Sequence, residues 1–219
     1  MMSLINALPG AVAQGLIWGI MAIGVYLTFR ILDIADLTVD GSLGTGGAVC
    51  IMLMLSGQNV WVAMAGATAA GMAAGLATGI LHTFMGIPAI LAGILTQLGL
   101  YSINLKTMGK ANQAINVDKY DLLVSLRFIR KVPFYKNTIL IVAIAIILLI
   151  VVLYWFFGTE LGCSLRATGC NDKMARAQGI NTDFNRVLGL MISNGLVALS
   201  GAMLCQYQGF ADINMGRGA

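Results

Sequence analysis

The chain has 219 residues, of which 58% are hydrophobic and only 10% charged, and its mean hydropathy is +0.86. Soluble domains are about a quarter charged, so this composition excludes an ordinary soluble fold and indicates an integral membrane protein. The net charge of +4 does not point to nucleic acid, because the basic residues are confined to segments between apolar runs, where they serve membrane orientation and partner docking.

The opening residues, MMSLINALPG, carry no Lys or Arg ahead of the first apolar run, so that run reads as a retained span and not as a cleaved leader. Windowed hydropathy predicts spans near 11–29, 42–55, 60–83, 87–104, 138–157 and 184–206. The fold class is therefore all-α: a polytopic transmembrane helical bundle of about six spans, with 1–219 forming one transmembrane domain.

Between the first two spans stand Asp33, Asp36 and Asp40, just after Arg30. Their spacing places them on one face if the segment is helical. Two readings follow. Carboxylates at membrane depth mark an intramembrane cation or proton site, whereas at the interface they are structural, with Asp40 capping the next helix ahead of GSLG. The second span is short and Gly-rich, and such a segment is expected to line a protected surface rather than face lipid.

In the third span Gly71, Gly75 and Gly79 recur every four residues, a pattern that predicts a close helix–helix seam rather than a solute contact. Gly15 and Gly19 repeat it in the first span. His82 ends the third span without a second ligating side chain. Gln14 and Gln97 lie inside apolar spans, where an amide needs a partner; interhelical bonding is the default and a pathway contact the alternative. Residues 105–137 carry seven basic residues and two Asp, including Arg127, Arg130 and Lys131, and read as an extramembrane excursion lying partly on the membrane surface.

No HExxH, GxSxG or P-loop occurs, and Cys50, Cys163, Cys170 and Cys205 lack metal-ligand spacing. Neither a metal, a cofactor nor a nucleophile–base pair is expected in the chain.

The polar stretch SLRATGCNDKMARAQGIN interrupts the last two spans. Asn171 is a good N-cap, Asp172 sits in the first turn, Arg176 complements the C-terminal end and Gly179 suits the left-handed conformation that ends a helix. A short, rigid, well-capped helix between two spans is predicted, suited to being gripped by another protein.

The stretch LGCSLRATGCNDKMARAQGINTDFNRVLGLMISNGLVALSGAM resembles the coupling-helix region and following span of ABC importer permeases of the branched-chain amino acid family, most of all the tryptophan/tyrosine-type permease group. The likeness extends upstream through LPGAVAQGLIWGIMAIGVYLTFRILDIADLTVDGSLGTGGA and GIPAILAGILTQLGLYSIN. It implies a multi-pass cell-membrane protein that conducts an amino acid or similar small solute and hydrolyses nothing itself. It implies as partners a separate ATPase carrying ATP and Mg, an extracytoplasmic solute-binding protein and a second permease copy. Residues 170–180 would enter a groove on the ATPase, with Met174, Ala175, Ala177 and Ile180 as apolar contacts and Lys173 and Arg176 as charged ones. Arg127, Arg130 and Lys131 would dock the binding protein by complementary charge.

The resemblance also implies further spans after residue 219, making this a C-terminally truncated form. It places 158–186 in the cytoplasm and 105–137 outside. That leaves five Lys or Arg in inside loops (30, 166, 173, 176, 186) and eight outside, against the positive-inside rule. The rival reading is an ion-coupled transporter or channel that uses the Asp33, Asp36 and Asp40 cluster.

Overall fold

A computed structural model describes residues 2–115, 122, 124 and 138–216. Its elements run α1 (Met2–Tyr26), a π-helical turn (Leu27–Ile31), α2 (Thr38–Leu55), α3 (Val60–Thr83), α4 (Ala89–Met108), β1 (Asn112–Ala114), α5 (Thr138–Phe157), α6 (Glu160–Cys170), α7 (Asp172–Ala177), α8 (Thr182–Gln208) and β2 (Phe210–Asp212). Among the described residues, six helical stretches are long and apolar enough to cross a bilayer: Leu8–Ile31, α2, α3, α4, α5 and α8. Loops 32–37 and 84–88 and the α6–α7 segment gather at one end of the bundle. The α2–α3 loop and the β1–β2 ribbon lie at the other, with Asn112 opposite Asp212 in the antiparallel pair. That ribbon is a feature the all-α reading did not contain.

Burial sorts the spans. In the most apolar 18-residue stretch of each span, 72% of the residues are buried in α8 and 67% in α2, but only 6% in α5. The difference is written in composition: α5, TILIVAIAIILLIVVLYWFF, is apolar all round and suits lipid. α8 instead carries Ser193, Asn194, Ser200 and Gln206 on buried surface, and polar groups in a hydrocarbon medium are satisfied inside the protein. Ser193 donates to the Gly24 carbonyl at 2.7 Å and Ser200 to the Ile17 carbonyl at 2.8 Å, fastening α1 to α8.

The seam between α3 and α8 depends on missing side chains. A Cβ at Gly71 would meet the Asn194 carbonyl at 2.5 Å and the Ala198 side chain closer still, one at Gly75 would overlap the Leu190 carbonyl oxygen, and one at Gly79 would lie 3.0 Å from the Val187 Cα. Gly46 of α2 approaches the Ala198 carbonyl in the same way. Backbones this close maximise dispersion contact, the main attraction available between helices in lipid. Gly15 and Gly19 have open space instead of a neighbour among the described residues.

α3 and α5 keep the expected boundaries, while those of α1, α2, α4 and α8 shift: α2 begins at Thr38 rather than near 42, and α4 runs on to Met108, where Gly109 closes it in the left-handed conformation at φ 66°. The early start of α2 has a tertiary cause, described next.

Candidate functional site

Loop 32–37 is not helical, so Asp33, Asp36 and Asp40 do not share a helical face. Asp33 has φ 57° and borders a groove with His82, Asn171 and Arg186 at the α6–α7 end. Asp36 turns inward. Its Oδ1 accepts the Thr38 backbone N–H at 2.8 Å, so Asp36, one residue ahead of the N-cap Leu37, satisfies the first N–H of α2, while Asp40 stands in the first turn and not at the cap expected of it. Its Oδ2 accepts from Asn194 Nδ2 at 2.7 Å, and Asn194 lies near the midpoint of α8.

The start of α2 is thereby drawn into the bundle. Thr38 Oγ1 and Thr78 Oγ1 of α3 are 2.7 Å apart, and Thr78 donates to Thr96 Oγ1 of α4 at 2.9 Å. Thr96 is about two turns inside α4. Ser42 Oγ donates to Asn194 Oδ1 at 2.6 Å. Buried side chains thus satisfy one another across four helices, a device that fixes one arrangement of a polar core.

On the outer side of the same loop an open cavity of about 640 Å³ lies between α1 and the beginning of α2. Trp18, Tyr26 and Phe29 line it with Arg30, Asp36 and Asp40. Among the described residues, the side chains of Arg30 and Asp40 have no hydrogen bond or ion pair, to each other or elsewhere. Asp40 also borders a small recess of about 40 Å³ with Gln97, Tyr101 and Asn104. Asp40 and Gln97 are therefore brought together, while Asp33 stands apart from both. By contrast, the groove of about 560 Å³ along α2, α3 and α4 is lined by Ala, Leu, Ile, Val, Gly and Thr without a charge.

At the groove end, three side-chain caps in succession define the segment between α5 and α8. Thr159 Oγ1 accepts from Gly162 N, Asn171 Oδ1 from Met174 N at 3.1 Å, and Asn181 Oδ1 from Phe184 N at 3.1 Å. Gly179, at φ 81°, turns the chain from α7 toward α8. Arg176 is spoken for within this elbow: it donates to Asp183 Oδ1 at 2.6 Å and to Thr182 Oγ1 at 2.8 Å. Arg186 pairs with Asp172 at 3.2 Å.

The docking set read from the resemblance changes accordingly. Ala175 is buried against its own chain and Arg176 braces α8, whereas Lys173, Met174 and Ala177 are exposed, Met174 to 59%. Ile180 is half-buried. Arg127, Arg130 and Lys131 lie outside the described residues, and no group of three or more His, Cys, Asp or Glu among the described residues is placed to hold a metal.

Sequence reading missed Asn194, the Thr38–Thr78–Thr96 chain and the aromatic wall. A signal for the wall existed: Trp18, Ala22, Val25 and Phe29 recur at helical spacing and end beside Arg30. Nothing local marks Asn194 as the partner of Asp36.

The family described as branched-chain amino acid transport system, permease component, matches residues 8–219. A tyrosine transport system permease protein of Clostridioides difficile (strain R20291) is 38% identical over 216 residues, covering 97% of this chain and 69% of that protein. A Rickettsia prowazekii (strain Madrid E) protein, named only as uncharacterized, is 37% identical over 215 residues, with 97% and 72% covered. The autoinducer 2 import system permease protein LsrC of Yersinia pestis (strain Pestoides F) is 31% identical over 202 residues; the match takes in 91% of this chain and 54% of LsrC. No solved structure matches the chain.

Proposed function

The chain belongs to the permease family of branched-chain amino acid transport systems, and we propose that it forms the translocation path of an ABC importer for an aromatic amino acid, driven by a separate ATPase that grips α7. It is a permease component and a multi-pass membrane protein. The finer reading rests on one observation above all. α7 is a six-residue helix capped at its start by Asn171 and closed by Gly179, held by Arg176 and Arg186 through ion pairs, and presenting Lys173, Met174 and Ala177 outward. A rigid projection between two spans transmits a push without being absorbed by loop flexibility.

In this mechanism ATP binding draws the ATPase subunits together, the α6–α7 elbow moves with them, and the spans of a permease dimer rock between outward and inward openings. An external binding protein delivers the solute. The amino acid assignment is supported by the family description and the tyrosine permease relative. The groove carrying α7 is then cytoplasmic and the β1–β2 ribbon external.

The rival ion-coupled reading needs the three Asp together. Asp36 is instead engaged by Thr38 and Asn194, and Asp33 opens onto a different groove.

Site-directed cross-linking tests the proposal. Cys163 and Cys170 are exposed, so both are first replaced by Ser. Met174→Cys is then expected to cross-link to a P-loop ATPase subunit in native membranes, and proteoliposomes of the assembly to take up L-tyrosine only with ATP. Uptake driven by an ion gradient without the ATPase would refute the reading.

A further inference from the structure

We propose that the cavity between α1 and the start of α2 is the solute-recognition site of the permease and takes a zwitterionic aromatic amino acid, with Arg30 reading its carboxylate, Asp40 its ammonium and the wall of Trp18, Tyr26 and Phe29 its ring. This rests on the amino acid assignment made above and adds to it the residues that do the recognising.

Three observations carry the site. The first is the cavity's chemistry: about 640 Å³, within the roughly 300–1,000 Å³ of small-molecule sites, with an apolar lining and a few convergent polar groups. The second is the state of those polar groups. Arg30 and Asp40 carry opposite charge, line the same cavity and pair neither with each other nor with any other described side chain. Asp36, by contrast, is bonded twice, and Asp172, Arg176, Asp183 and Arg186 pair among themselves; Asp33, Lys106, Lys110, Glu160, Arg166 and Lys173 also lack a partner among the described residues but lie outside this cavity. Arg30 stands at the end of the first spanning stretch, where an interfacial charge is tolerated, whereas Asp40 lies within the second, where an open carboxylate is costly against lipid and marks a water-filled path or a ligand.

The third is the arrangement of the wall. Tyr26 and Phe29 are 58% and 67% exposed and face the cavity alongside Trp18. Aromatic faces offer a planar ring edge-to-face and stacked contacts, and they attract a cation as well. Asp36 is not assigned to the ligand, because both of its oxygens already accept hydrogen bonds that hold the loop. It acts as a positioning residue that fixes the start of α2, and with it Asp40, against α1.

Three ligand features follow, each tied to one part of the wall: a carboxylate, an ammonium and an aromatic ring. A sugar offers neither charge. An aliphatic amino acid offers both charges and no ring.

Saturation-transfer NMR titrations of the permease in lipid nanodiscs test the assignment, with L-tyrosine, tyramine (no carboxylate), 3-(4-hydroxyphenyl)propionate (no ammonium) and L-leucine as probes. Wild type is expected to bind L-tyrosine about tenfold more tightly than either one-charge analogue, the worth of one charged hydrogen bond. Arg30→Gln should abolish the preference over tyramine and leave that over the propionate, while Asp40→Asn should do the reverse. Trp18→Ala should bring L-tyrosine to the level of L-leucine.

Arg30→Lys and Asp40→Glu keep the charge and are expected to keep the preference, which separates recognition from folding. If wild-type proteoliposomes take up L-tyrosine with ATP and both charge-removing variants still discriminate as wild type does, the site is overturned and the importer reading stands. If both variants lose dimer assembly while charge discrimination persists, the cavity is a contact between copies and the site is overturned. If the wild-type assembly moves no amino acid at all, the reading beneath the site falls and takes the site with it.

Discussion

Asn194→Ala isolates the bond that draws the start of α2 into the bundle. Asn194 is fully buried and makes three contacts: Nδ2 to Asp36 Oδ2 at 2.7 Å, Nδ2 to the Leu190 carbonyl at 3.0 Å, and Oδ1 from Ser42 Oγ at 2.6 Å. The losses are unequal. Ser42 keeps the carbonyls of Thr38 and Val39, at 3.0 and 3.2 Å. Leu190 O is a helical carbonyl whose bond to Asn194 Nδ2 is a supplementary one. Asp36 Oδ2 has no second donor among the described residues and is left bare. A hydrogen bond to a charged group is worth roughly 1.5–3 kcal/mol, and interhelical bonds in membranes average about 0.6 and reach about 1.7; a loss of ~1.5 kcal/mol is expected. Double-mutant cycles in reversible detergent unfolding should give ~1 kcal/mol of coupling between Asn194 and Asp36 and under ~0.5 between Asn194 and Ser42. Coupling that is larger to Ser42 than to Asp36, or absent from both, refutes the argument.

Gly75→Val places a side chain on the Leu190 carbonyl, which cannot swing aside, and overpacking of this kind costs about 1–3 kcal/mol or more; loss of monodisperse protein in size-exclusion chromatography is expected, whereas Gly15→Val, with open space around it, should elute as wild type. Asn171→Ala removes the cap on α7 at a cost of ~1 kcal/mol, so amides 172–178 should exchange about fivefold faster with the spans unchanged. Arg176→Gln breaks a half-exposed pair worth under ~1 kcal/mol; thermal stability should barely move while ATP-driven uptake drops, and unimpaired uptake would show that bracing α7 is immaterial. Reporter fusions at residues 120 and 172 should report outside and cytoplasm respectively, and a cytoplasmic signal at 120 would invert the topology.

Where a span is a single apolar block, sequence suffices. α3 and α5 begin and end where hydropathy places them, at Val60–Thr83 and Thr138–Phe157, because hydrocarbon imposes the same requirement on every residue of the block. The four-residue glycine spacing is equally local, and the face it marks in α3 is the one that meets the α8 backbone. The cap of α7 is legible because a cap is a bond over three residues, and Asn181, which the sequence reading did not single out, caps α8 in the same way. What escapes sequence is whatever is decided at long range. TVDG looks like interface until Thr38 finds Thr78 and Asp36 finds Asn194, 158 positions away. Arg176 reads as a free cation until the turn at Gly179 brings Asp183 beneath it. Arg30 and Asp40 cannot be recognised as unpaired before their surroundings are known.

The same long-range contacts connect the two ends of the proposed mechanism. α6 and α8 do not merely flank loop 32–37; they clamp it. Gly169, near the end of α6, lies so close to the Ile31 carbonyl that a Cβ would overlap it, and a Cβ at Gly189 of α8 would run into the Leu32 side chain. Leu32 and Ile34 share a buried cluster with Leu165 of α6 and Leu190 of α8. On the proposed reading, displacing α7 displaces α6 against the end of α1, and with it the segment whose next residues are Asp36 and, in the first turn of α2, Asp40. The π-helical turn at Leu27–Ile31 stands where that displacement enters α1, and π-turns interrupt helices frequently at functional sites. Packed interfaces switch between discrete arrangements rather than deforming smoothly. A shift at the elbow is thus positioned to change the separation of Arg30 on α1 from Asp40 on α2, which is the separation a zwitterion measures, so that on the proposed reading the stroke of the ATPase and the release of the solute act on the same few residues.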